Sequence, residues 1–126
     1  MKALNIVDTA YRATLEEQDD TSLWFIHAIR KSGALSDVLL SGNAVNYLVK
    51  HQNPKPLNIG TAKIHYPNKF QDDLTNLAKD GCKLFFVKDD VITRGIKPDS
   101  LVTHAEGLDR SQLADFIDGY DDIWHW

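Results

Sequence analysis

The sequence predicts an α/β protein, with a parallel sheet covered by helices on both faces. Three observations carry this prediction. Apolar runs of strand length recur at Ala3 to Val7, Asp37 to Leu40 and Leu84 to Val87. Stretches of helical period lie between and after them, with Phe70, Leu74, Leu77 and Ala78 at i, i+4, i+7 and i+8, and Leu113, Phe116, Ile117 and Tyr120 at i, i+3, i+4 and i+7. Glycines stand where such helices end, at Gly33 and Gly81.

Taken in order, Ala3 to Val7 reads as a first strand broken by Asp8 and Thr9. In the acidic stretch Tyr11 to Asp20, Thr14 with Glu17 forms a candidate capping box, and Asp20 is a second candidate cap. Leu23 to Arg30 is a helix with hardly a polar side, so it is expected to be buried all round, one face on the sheet and the other against a second subunit. His27 within it reads as a hydrogen-bonded core or interface residue, since no partner ligand stands at helical spacing. Asp37 to Leu40 is the second strand, and Ser41-Gly42-Asn43 turns into a helix presenting Ala44, Val45, Leu48 and Val49. Ser41 or Asn43 is expected to cap that helix, whose free amides would suit an anion.

Asn53-Pro54-Lys55-Pro56 breaks the chain, and Leu57 to Pro67 reads as a surface excursion with one short strand. The amphipathic helix from Phe70 follows. Leu84 to Val87 is bounded by Gly81 and by Lys88-Asp89-Asp90, as suits a strand buried on both faces with a polar turn at its carboxyl end. In open α/β sheets that end is where ligands collect. Leu101 to Ala105 is a candidate fourth strand. Asp109 and Gln112 form a capping box for the helix from Leu113. Ile123 to Trp126 reads as a last strand whose alternation puts Trp124 and Trp126 on one face and His125 on the other. At least one of these tryptophans is expected in the core or at a subunit contact.

A chain of 126 residues suits a single domain spanning 1–126, and 43% hydrophobic with 25% charged residues is ordinary for a globular protein. A net charge of -4 argues against a nucleic-acid surface. One cysteine excludes an intrachain disulfide and a thiolate metal cluster, and fits a cytoplasmic location. No signal peptide and no bilayer-spanning stretch is expected. The five histidines show no zinc spacing, and no serine, histidine and acid fall in a triad context. Asp89-Asp90 with Asp8 offers oxygen ligands to a divalent cation, without a spacing specific to one. No cofactor and no metal is therefore predicted.

The order of these pieces resembles the DsrE/DsrF-like family, which includes the TusD-type sulfur-relay proteins. The likeness runs from Leu4-Asn5-Ile6-Val7-Asp8, through Asp37-Val38-Leu39-Leu40-Ser41-Gly42-Asn43-Ala44-Val45, to Leu77–Val87 and Arg94-Gly95-Ile96. It implies a three-layer α/β/α sandwich with a five-stranded parallel sheet, and a homotrimer, homohexamer or mixed hexamer. Sulfur-carrying members hold a cysteine at the end of the third strand, seven residues before the arginine, and some a second one four residues before it. Those positions here are Val87 and Asp90. A persulfide carrier needs an exposed, activated thiolate, which valine cannot supply. Cys82 lies at the other end of the strand, roughly 16 Å away at about 3.3 Å per residue, where a lone cysteine is usually a small buried hydrophobe.

What remains is a set without a nucleophile. Asp8, Asn43, Asp90 and Arg94 can converge at the strand ends as a ligand-binding set, with Asp90 and Arg94 alternatively a loop ion pair. The expected function is a non-catalytic, oligomeric binding or scaffold protein related to intracellular sulfur metabolism. The alternative is a persulfide-carrying sulfurtransferase that uses Cys82 and a relay partner protein. A third reading is a hydrolase or isomerase using Asp90 with Arg94.

Overall fold

The computed structural model describes residues 1–12, 20–53, 55–64 and 70–126. Its elements are β1 (Lys2–Val7), α1 (Thr21–Lys31), β2 (Leu35–Leu40), β3 (Leu57–Ile59), β4 (Ala62–Ile64), α2 (Phe70–Lys79), β5 (Leu84–Val87), α3 (Lys88–Thr93), β6 (Ala105–Leu108), α4 (Leu113–Asp118) and β7 (Asp122–His125). The strands β6-β5-β2-β1-β7 form one sheet in that order, every neighbouring pair parallel. The protein is thus the three-layer α/β/α sandwich with a five-stranded parallel sheet expected from sequence. Among the described residues no helix is long and apolar enough to cross a membrane.

Strand alternation sends side chains to two cores. On one face Val7, Val38, Leu40 and Leu84 meet Leu23 and Ile26 of α1, Leu74 and Leu77 of α2, and Ala44, Val45, Tyr47 and Leu48. On the other, Leu4, Leu39, Phe85, Val87 and Leu108 are covered by Leu113, Phe116, Ile117 and Tyr120 on and just after α4. The aromatic run Leu84–Val87 is an interior strand, between β2 and β6, although the middle place belongs to β2. The chain leaves β5 toward the α1 and α2 face, where Val91 and Ile96 are packed, but leaves β6 toward the α4 face. The carboxyl ends of β5 and β6 therefore diverge.

Several local expectations need correction. The candidate strand at Leu101 to Ala105 is displaced to Ala105–Leu108; Leu101 makes only an isolated bridge to Val49, and its side chain joins the first core. Glu106 and Gly107 hide this strand from a hydrophobic pattern. The glycine is required, because a Cβ there would stand 2.9 Å from both Lys88 Cγ and Phe86 Cζ. Lys88 to Ile92 is helix rather than turn. The excursion after Pro56 holds two strands, a β3–β4 hairpin, rather than one. The first long helix is not buried all round: Trp24 is 59% exposed and Phe25 half-buried, with Leu23 and Ile26 inward. Asp20 is the cap of α1, accepting from the amides of Ser22 and Leu23, whereas the Thr14–Glu17 candidate lies outside the described residues.

Candidate functional site

The carboxyl ends of β1, β2 and β5 deliver Asp8, Ser41-Gly42-Asn43 and Lys88-Asp89-Asp90 to one region. Asp90, in the first turn of α3, is almost fully buried. Its Oδ2 accepts from the Gly42 amide at 2.7 Å, and its Oδ1 lies 2.5 Å from Nη2 of Arg110 and 4.0 Å from Nη1 of Arg94. Thus the amides that sequence offered to an external anion begin by binding one from the chain itself. Ser41 makes no side-chain cap bond, and residues Gly42–Leu48 are a 3-10 rather than an α-helix. Asn43 instead turns its side-chain oxygen toward Arg94, accepting from Nε at 3.1 Å and Nη2 at 2.9 Å.

Gly42 is the pivot. Its φ is +52°, and a Cβ would stand 3.2 Å from the Asp8 carbonyl and 3.9 Å from Arg94 Nη2. Only glycine takes this conformation cheaply and lets β1, β2 and the arginine close together. The structure therefore gathers Asn43, Asp90 and Arg94 into one bonded unit. Asp8 reaches that unit through its backbone, while its side chain turns to another partner.

That partner is His125. Its Nε2 lies 2.8 Å from Asp8 Oδ2, and Thr9 Oγ1 donates to Asp8 Oδ1 at 3.0 Å. Burial pulls the Asp8 carboxyl upward, but the hydrogen bonds from Thr9 and His125 and the charge of His125 outweigh it, so the carboxyl sits below its usual range. The alternation of β7 puts His125 on the face away from the tryptophans, as expected; that it would meet Asp8 follows from the β1–β7 pairing, with Ile6 opposite His125.

Two further residues were missed. Arg110 binds Asp90 through its guanidinium and Asp89 Oδ2 through its amide at 2.7 Å, and Lys88 approaches Asp109 at 3.4 Å. These ion pairs bridge the diverging ends of β5 and β6, where an open sheet ordinarily leaves a crevice. Among the described residues no group of three metal-ligating side chains is gathered, and Asp8 and Asp90 are each spoken for. Replacing Asp90 with alanine leaves the Gly42 amide unpaired and frees two arginines. A loss of about 2 kcal/mol is expected, read as a lower denaturant midpoint at unchanged slope. A shift under a quarter of that would mean the network is decorative.

Val87 and Cys82 occupy opposite ends of β5. Val87 is completely buried in the α4-side core. Cys82 is also buried, in the other core, with Sγ 3.4 Å from the Ser36 carbonyl. Burial pushes its thiol up to about 12, with Asp37 and Asp80 adding to the rise and Arg30 and Lys2 opposing it.

No family model matches the chain, and no curated protein matches it. Solved structures do. YchN from E. coli superposes with a TM-score of 0.72 at 21% identity, covering 100% of each chain. MTH1491, a protein of unknown function from Methanobacterium thermoautotrophicum, gives 0.66 at 9% identity over 98% of this chain and 97% of its own. At such identities the likeness is one of fold.

Proposed function

We propose that this chain, which has the DsrE/DsrF-like fold, is a non-catalytic protein that binds and assembles rather than one that carries sulfur. The observation behind this reading is the burial of Val87 where the resemblance puts the reactive thiol, with the chain's one cysteine buried at the far end of the same strand. A relay thiol must be met by a donor and an acceptor in turn, and a side chain sealed in a core meets neither. Any tie to intracellular sulfur metabolism rests on the family resemblance.

The binding part of the reading places a small anion at Arg94 beside Asn43; Asp8 and Asp90, held by His125 and by the Gly42 amide with Arg110, border that place without binding the anion. Arg94 rests two of its donors on the neutral amide oxygen of Asn43, and its nearest carboxylate oxygen is 4.0 Å away. An oxyanion offers that guanidinium a stronger, bidentate partner than the amide does. The assembly part draws on Trp24 and Trp124, both exposed in the single chain.

Three measurements test this. Incubation with a persulfide donor, followed by intact mass spectrometry, is expected to leave the folded protein unchanged; sulfur added to Cys82 in the folded state overturns the reading in favour of a sulfurtransferase. Calorimetric titration with thiosulfate and phosphate is expected to show binding that Arg94→Ala reduces at least tenfold, and equal binding by the variant would remove the site. In solution the protein is expected to be a trimer or hexamer, so a monomer by light scattering at micromolar concentration would end the assembly part.

A further inference from the structure

The helices α1 and α2 cover the same face of the sheet and lie against each other. Each leads back to the start of a strand, α1 into β2 and α2 into β5, and these strands are parallel neighbours. The two helices therefore run side by side in the same direction, and their last residues, Lys31 and Lys79, fall at the same margin of the sheet. Between the helices lies a groove of about 610 Å³, a size that suits a small molecule, whose sites run roughly from 300 to 1,000 Å³. The groove runs toward the amino ends of the strands, whereas Arg94 and Asn43 stand at the carboxyl ends. It is a separate place.

One wall of the groove is a single stripe of α1, with Trp24, His27, Ala28 and Lys31 at i, i+3, i+4 and i+7. Trp24 is 59% exposed. Phe25, one position on, turns the other way and packs on Trp124 and Trp126. Trp24 meets no other ring among the described residues. Ala28, one turn further along the stripe, has no side chain large enough to fill the space beside the indole.

The charges along the groove are unevenly answered. His27 Nδ1 lies 3.5 Å from Asp80 Oδ2, so those two face each other across the helices. Asp73, on the α2 side, has a partner of its own. Lys31 and Lys79 are exposed, and among the described residues neither forms an ion pair. One end of the groove therefore carries two unanswered ammonium groups. A lysine in a last turn suits the helix dipole by itself; the dipole does not account for an open indole in the same groove.

We propose that the α1–α2 groove binds a small planar aromatic anion, its ring stacked on Trp24 and its carboxylate or phosphate received by Lys31 and Lys79. An aromatic ring offset over the indole gains more than its buried area alone supplies, and an anion turns both ammonium groups into donors of charge-assisted bonds. An aliphatic anion forgoes the first gain and an uncharged ring the second. The inference assigns Trp24 to the groove and leaves Trp124, stacked on Phe25 with ring centres 5.8 Å apart, to contacts between copies. It goes beyond the anion place at Arg94 and does not depend on it.

Calorimetric titration of the full chain with naphthoate tests it, beside naphthylmethanol as the uncharged counterpart and cyclohexanecarboxylate as the non-planar one. Naphthoate is expected to bind at least tenfold more tightly than either. Trp24→Ala is expected to weaken naphthoate at least tenfold, and Trp24→Phe to recover part of the loss. Lys31→Glu with Lys79→Glu changes only exposed positions and is expected to abolish the preference for naphthoate over naphthylmethanol; it decides the matter if the alanine variant fails to fold. No binding of naphthoate, or equal binding of the alcohol by the unaltered chain, overturns the proposal. So does binding that survives Trp24→Ala and is lost in Trp124→Ala, which puts the ring beside β7. Light scattering gives the last check: a Trp24→Ala variant that falls to a smaller assembly than the unaltered chain returns Trp24 to the contact between copies and overturns the groove.

Discussion

Replacing Asp37 with alanine is expected to lower the melting temperature by roughly 10–20 °C, the largest effect of any single substitution on the polar side chains of the sheet. Asp37 is a carboxylate in the middle strand, almost wholly out of water. It is held there by Lys2 Nζ at 2.7 Å, the Tyr120 hydroxyl at 2.8 Å and the Lys83 amide at 3.1 Å. These partners come from β1, from two residues past the end of α4 and from the approach to β5, so one side chain ties together three separate parts of the fold. Removing one member of a buried set costs about 3–5 kcal/mol, and the low end applies here, because the Lys83 amide and the Tyr120 hydroxyl lose their acceptor while the Lys2 ammonium, 39% exposed, regains water. For a chain of this size 1 kcal/mol corresponds to about 4 °C. Asp37→Asn keeps an acceptor for the amide and the hydroxyl and is expected to fall between. A drop under about 3 °C for the alanine variant would show that water replaces the carboxylate freely and that the α4 face is looser than its packing implies.

The parts of the fold legible in the sequence are those whose signal is local. Leu84 to Val87 is apolar at four successive positions because both faces of an interior parallel strand are covered. Phe70, Leu74 and Leu77 show helical period because α2 turns one face to the sheet. Asp109 and Gln112 form their reciprocal cap within four residues, and the box is present. Trp124 and Trp126 share a face, as alternation requires, with Trp126 half-buried and Trp124 open.

The parts that were not legible depend on contacts far apart in sequence. β6 carries Glu106 and Gly107 and has no period, since it is an edge strand whose glycine yields space to Lys88 and Phe86. Leu101 and Val102 gave the false strand because they are apolar for another reason: they pack on the first core, and the Val102 amide bonds to the Leu48 carbonyl. At the site, Asn43, Asp90 and Arg94 were foreseeable because each follows a strand or its helix. Arg110 was not, since its bond to Asp90 spans the divergence between β5 and β6. The local sign available was a cation directly after an N-cap aspartate, where the helix dipole disfavours it, and that sign indicates only that an acid must lie near.

The largest kinetic effect expected is at Cys82. At pH 8 the folded protein should react with a small thiol reagent about a thousandfold more slowly than the unfolded chain, before any steric shielding is counted. Reaction needs thiolate. An ordinary cysteine, titrating near 8.5, is about one quarter thiolate at pH 8. Burial raises the Cys82 thiol to about 12, which leaves about one part in ten thousand. The same displacement fixes the pH profile: the native rate should climb about tenfold per pH unit through pH 11, where an ordinary thiol has already levelled off. It also fixes the sign of the stability change. The folded state holds the proton more tightly than the unfolded one, so this contribution is complete below about pH 8.5 and is lost as pH rises toward 12. Tyr47 and Tyr120 act in the same direction: burial first, and then the carboxylates of Asp20 and Asp37 that their hydroxyls bond, raise both phenols. Alkaline unfolding that begins above pH 9 and tracks thiol labelling would join the two measurements. A native labelling rate within tenfold of the unfolded rate at pH 8 would mean that the strand start opens readily. Cys82 would then be available to a sulfur donor, and the case for a protein that works without a reactive thiol would fall with it.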